Sequence, residues 1–173
     1  MTLPLQFASN GQINAIVPFD VPVNTTLQQT VRQGTSVSGV DPVTMAPAQP
    51  AVFTRNGAAI IVGVKPDGTS LDVGQPVTAG DTLVIYCAGL GAVDPPVPAG
   101  SAAPSNTLSK TVTPVTVSIA GQAAPVSIAG LSPGFTGLYQ INAQVPSGIA
   151  PGNATLIITA AGLQSAPVTL PFK

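Results

Sequence analysis

Gln12-Ile13-Asn14-Ala15-Ile16-Val17-Pro18 returns as Gln140-Ile141-Asn142-Ala143-Gln144-Val145-Pro146, with six of the seven positions identical. Similarity at so long a spacing marks a duplicated structural unit. The agreement continues downstream: Asn24-Thr25-Thr26 matches Asn153-Ala154-Thr155, and Pro42-Val43-Thr44 matches Pro167-Val168-Thr169. The second copy is preceded by a long run of strand-like sequence, the first by only eleven residues. The chain therefore reads as a partial β module at 1–46, the tail of a preceding repeat, followed by a complete module at 47–173.

Around this repeat, β-branched residues fall in short runs between Gly, Pro, Asn and Ser clusters, the pattern of strands and turns. Strands are expected at Leu3 to Ala8, Gln12 to Val17, Thr26 to Arg32, Val43 to Met45, Ala58 to Val64 and Thr82 to Ala88. Gly137 to Val145, Ala154 to Ala160 and Val168 to Phe172 follow, after a hairpin of Val112 to Ala120 and Ala124 to Ala129 about Gly121-Gln122. Only Thr25 to Gln33 can be argued as a helix, and it reads equally well as a strand. Ala46 to Pro50 is the expected linker, and Gly89 to Asn106 a long Pro-rich loop. Seven or eight short strands at this spacing predict an all-β, immunoglobulin-like sandwich. About 120 residues can bury a core of their own, whereas about 45 cannot without a supporting surface. Residues 1–46 are thus expected to pack on the complete module or to self-associate between chains through their unpaired strand edges.

Composition excludes whole classes of function. Only 6% of residues are charged, against roughly 25% in an average soluble domain. Five scattered bases cannot form the patch that releases counterions from phosphates, so nucleic acid is not a partner. With 19 Pro and 18 Gly interrupting every apolar run, no transmembrane helix is expected. No charged n-region and apolar h-region follow Met1, so no signal peptide is visible. A chain that begins inside a module is expected to be a fragment of a larger one, and the missing leader is read that way.

Several motifs resemble a known family. Besides the repeated heptapeptide, the run Ala88-Gly89-Leu90-Gly91-Ala92-Val93-Asp94-Pro95-Pro96-Val97-Pro98 and the run Gly130-Leu131-Ser132-Pro133-Gly134-Phe135-Thr136-Gly137-Leu138-Tyr139-Gln140 carry the likeness. They resemble a family of uncharacterised C-terminal domains first grouped from Solibacter and other Acidobacteria. Pro47 to Lys173 would be the whole domain and Leu3 to Thr44 the tail of a preceding copy. The resemblance implies an Ig-like module at the end of a large exported protein, secreted or at the cell surface, with no catalytic residues to carry over.

The chemistry open to the chain is narrow. There is no His and no Glu, so a Ser-His-Asp triad and His-based zinc sites cannot be built. Cys87, the only thiol, alternates with Leu83 and Ile85 and reads as core. What remains is a hard cation held by oxygens, and calcium is the candidate cofactor. Asp67 and Asp72 sit close together in a turn, and Asp94 lies in the long loop, where site residues tend to collect; these three are the calcium candidates. Asp before Gly, as in Asp67-Gly68, is also ordinary turn chemistry. Asp81 reads as a turn residue, and Asn14 and Asn142 as side chains that bond backbone at a bend. Two functions follow. The first is a non-catalytic extracellular or cell-surface Ig-like module for display, adhesion or assembly, with a protein or cell-surface partner. The second is a small calcium-dependent hydrolase of an uncharged ester or lactone, for example an acyl-homoserine lactone, in which the metal activates water.

Overall fold

The computed structural model describes all of residues 1–173. Residues from Ala48 onward build a sandwich of two mainly antiparallel sheets. The first runs Ser70–Leu71, Ile61–Val64, Thr82–Ala88, Tyr139–Gln144, Val126–Leu131, Lys110–Thr111, Val93–Asp94, with Ala51–Val52 also on Thr82–Ala88. The second runs Gln122–Ala124, Val115–Ile119, Gly152–Ala160, Val168–Phe172, Ala58–Ala59, Thr54–Arg55, with Leu163–Gln164 also on Gly152–Ala160. Its one parallel pairing joins Val168–Phe172 to Ala58–Ala59.

Period-two alternation explains the packing. Along Thr82–Ala88, Leu83, Ile85 and Cys87 are fully buried while the residues between them are not. Tyr139, Ile141, Ala143 and Val145 face the same interior, opposite Leu156, Ile158 and Leu170 of the second sheet's inner face. One continuous apolar cluster of 27 residues results, and its first member is Ala48.

Tight turns fix the hairpins. Asn56-Gly57, Ala120-Gly121 and Ala161-Gly162 each place two successive residues at positive φ, the backbone that two-residue hairpins need. The second of these corrects one expected hairpin. Val115–Ile119 turns at Ala120-Gly121 into Gln122–Ala124 of its own sheet; after Pro125 the chain crosses to Val126–Leu131 in the other sheet. Proline removes a ladder donor, so the strand ends there. Ala58 to Val64 likewise divides, with Ala58–Ala59 in the second sheet and Ile61–Val64 in the first. The ambiguous stretch after Thr25 is a strand, Thr26–Gln29.

Residues 1–46 form three separate two-stranded ladders: Leu5–Ala8 with Ile13–Ala15, Thr26–Gln29 with Asp41–Thr44, and Arg32–Gln33 with Ser36–Val37. Their pairings repeat those of the complete module. Leu5 and Phe7 oppose Ala15 and Asn14 across a bulge, as Val126 and Ile128 oppose Ala143 and Asn142 across another. Thr26 opposes Thr44 and Leu27 opposes Val43, as Thr155 opposes Thr169 and Leu156 opposes Val168. Even a serine clasp recurs. Ser38 donates its N–H to Val31 O (2.8 Å), and its Oγ accepts from Val31 N (2.9 Å) and donates to Gly39 O (2.8 Å). Ser165 does the same with Ile158 and Ala166, at 2.8, 3.1 and 3.0 Å.

Candidate functional site

A large concavity lies where the two copies meet. It holds about 550 Å³ and is lined by Ala15 to Phe19, Val21, Val23 and Thr44 to Gln49 on one side, and by Gly89, Gly91, Val112, Gly137 and Tyr139 on the other. A volume of this size is within the range of ligand clefts, roughly 300–1,000 Å³.

Its walls are built by the linker and the long loop. Gln49 N–H donates to Gly89 O at 2.7 Å. Gly89 has φ +74°, and a Cβ there would collide with the Gln49 carbonyl, so only glycine fits. The Tyr139 hydroxyl donates to the carbonyl oxygen of Gly91 and ties the loop to the first sheet. Burial pushes this phenol's pKa up, with a smaller push from Cys87. The long loop also contributes to the core, through Leu90, Val93, Val97 and Ala103.

The N-terminal copy touches the complete module at Pro4, against Gly100, and at Ile16, against Gly137. In the repeated heptapeptide the only substitution is Ile16 for Gln144. Ile16 is half-buried against the complete module, close enough that a Cβ on Gly137 would lie 2.5 Å from its Cδ1. Gln144 is exposed. Gln6 Nε2 adds a hydrogen bond to Thr136 O (3.2 Å). The apolar face that is core in the second copy is not core in the first. Ile141 and Val145 are 0% and 2% exposed, whereas their counterparts Ile13 and Val17 are 45% and 48% exposed.

The calcium candidates sit apart from this cleft's lining. Asp67 occupies the turn after Ile61–Val64, where its Oδ1 accepts from Thr69 N (2.9 Å) and Thr69 Oγ1 (2.7 Å). Those two bonds, the backbone one foremost, hold its pKa below the ordinary carboxylate value. Asp72 follows Ser70–Leu71, and its N–H donates to Gln75 Oε1 (3.4 Å). Asp94 is exposed on Val93–Asp94, opposite Lys110. No three His, Cys, Asp or Glu side chains cluster as a metal site.

Two residues differ from their expected roles. Asp81 is more than a turn residue: it is fully buried, its Oδ2 accepting from Thr78 N (2.8 Å) and its Oδ1 from Thr78 Oγ1 (3.0 Å). Asn14 and Asn142 do not bond backbone at a bend. Asn14 Oδ1 accepts from the Gln12 side chain (2.7 Å), while Asn142 lies mid-strand with its Oδ1 buried and unpartnered. Cys87 is buried, and desolvation pushes its thiol up to about 12, far from the lowered pKa that a nucleophile requires. No helix is long and apolar enough to cross a membrane.

No protein-family model, curated protein or solved structure matches the chain.

Proposed function

We propose that this chain is a non-catalytic, immunoglobulin-like module of an extracellular or cell-surface protein, acting in display, adhesion or assembly. One observation carries the reading. A second copy of the module's own strands is held beside the complete one with large apolar side chains exposed on both faces of its first hairpin, Leu5 and Ile13 on one and Phe7 on the other. Exposed apolar patches of this kind mark interaction surfaces. The motif resemblance to the acidobacterial C-terminal domains of exported proteins supports the same placement, and membership of that family is part of the proposal.

The test is turnover. Uncharged esters and lactones, acyl-homoserine lactones among them, are incubated with the chain in calcium and in chelator. The expected rates equal the buffer blank in both. Chelator-sensitive turnover, reduced in Asp67→Asn, Asp72→Asn or Asp94→Asn, would overturn the proposal in favour of a calcium-dependent hydrolase.

A further inference from the structure

We propose that the complete module carries a one-way docking socket whose partner is the end of a neighbouring copy of the same module, and that Gly91, Gly100 and Gly137 shape it. In this chain residues 1–46 fill the socket. The proposal goes beyond the function given above, since it concerns how modules join and holds whether or not the chain is catalytic.

The socket is made of missing side chains. A Cβ on Gly91 would lie 2.7 Å from the Pro47 carbonyl oxygen, one on Gly100 2.8 Å from Cβ of Pro4, and one on Gly137 2.5 Å from Cδ1 of Ile16. All three are well inside the roughly 3.5–4.0 Å of an ordinary carbon contact. The linker has little freedom of its own. Met45 belongs to the first copy, its N–H donating to Thr25 O (2.9 Å) and its carbonyl oxygen accepting from Asn24 N (2.7 Å). Ala48 is already buried in the core of the complete module. Only Ala46 and Pro47 lie between them, and the Pro47 ring fixes its own φ. So small a contact would not join two separate molecules, but a short tether raises its effective concentration. The two copies are thereby held in one orientation.

Neither half of the joint is repeated in the other copy. Ile16 N–H donates to Pro4 O at 2.9 Å, and at the matching place Gln144 N–H donates to Pro125 O, also at 2.9 Å. Pro125 and Gln144 are both exposed. The complete copy thus presents the proline but a glutamine in place of the isoleucine. An amide pressed against Gly137 would lose its water without gaining a partner. The first copy, in turn, lacks the socket's loop. Its Leu5–Ala8 and Ile13–Ala15 are joined by Ser9 to Gln12 alone, whereas Val126–Leu131 and Tyr139–Gln144 are joined by the longer Ser132 to Leu138, which carries Gly137. One copy has the knob and the other the socket, so the contact has a direction.

The experiment uses the full chain with nitroxide labels on Gln29→Cys and Gln122→Cys, exposed positions in the first copy and in the complete module. Pulsed electron spin resonance reads the distance distribution between them, and buried Cys87 stays unlabelled. The labelled parent should give a single narrow peak. Ile16→Gln and Gly137→Ala should each lose that peak for a broad distribution. Gly137 has φ +66°, so alanine there adds backbone strain to the collision. Gly134→Ala separates the two effects, since Gly134 lies in the same loop at φ +81° with nothing within 4 Å of its missing Cβ; it should keep the narrow peak. Adding Ile16→Val to Gly137→Ala removes the colliding Cδ1 and should bring the peak back, the non-additivity of two residues in contact. Ile16→Gln alters no residue of the complete module, so the test stands even where a glycine variant fails to fold. A broad parent distribution, loss of the peak in Gly134→Ala, its retention in Ile16→Gln, or no recovery in a folded double variant would overturn the proposal. So would a parent peak lost on dilution with unlabelled chain, since the socket is then filled by a second molecule. Ester turnover would remove the non-catalytic reading and leave this joint standing.

Discussion

Asp81 and Cys87 show how a chain with few charges uses its polar groups in the interior. Asp81 has no exposed surface, and both carboxylate oxygens satisfy Thr78 in the turn before Thr82–Ala88. Asp81→Ala should cost about 1–3 kcal/mol, because it strands a Thr78 N–H; chemical denaturation measures it. Asp67→Asn, at a fully exposed turn, should move the midpoint far less. Cys87 gives a pH dependence. Its folded pKa of about 12 lies above the ordinary 9.0, so stability from the neutral thiol is fully present below pH 9 and is lost as pH rises toward 12. Tyr139 shifts in the same direction. Unfolding free energy should therefore fall from about pH 9 upward, less steeply in Cys87→Ala. A thiol reagent should label Cys87 only as fast as the protein opens.

At the scale of the element, identical sequence takes opposite roles. Ile141 sits between two strands and two sheets, so Ile141→Asp should cost about 4 kcal/mol or more, enough to unfold a marginally stable domain. Ile13→Asp, at the equivalent position, should leave the main melt unchanged. Ile16→Gln restores the heptapeptide of the second copy and removes the docking contact on Gly137. It should make the 1–46 segment more susceptible to limited proteolysis while the melt of the remainder stays put. These roles were only partly legible in the sequence. Thr82–Ala88 and Val168–Phe172 fall where alternation placed them. Alternation marks a buried face but does not say which sheet a strand joins, so the crossings at Ala59 to Ile61 and at Pro125 escaped it. Strands of two residues, such as Val93–Asp94 and Lys110–Thr111, are too short to carry a period. The cleft escaped for another reason. It depends on the contacts of Gly89, Gly91 and Gly137 with chain distant in sequence, and a glycine alone does not reveal what approaches it.

At the scale of the whole molecule, one complete sandwich carries the core, and a second set of the same hairpins lies against it without one. All 27 residues of the core cluster lie at Ala48 or beyond, and Val21 is the only buried residue before it. Two-stranded ladders are marginal in water on their own, so the N-terminal copy should open locally at little cost. The most direct measurement is native amide exchange, compared between Ile13, Asn14, Ala15 and Ile141, Asn142, Ala143 in the unmodified chain. The second set should exchange more slowly by about 1000-fold or more, the factor given by roughly 4 kcal/mol of extra protection. Equal protection of the two sets would mean that the first copy lies in a packed core of its own, and would contradict the open half-module described above.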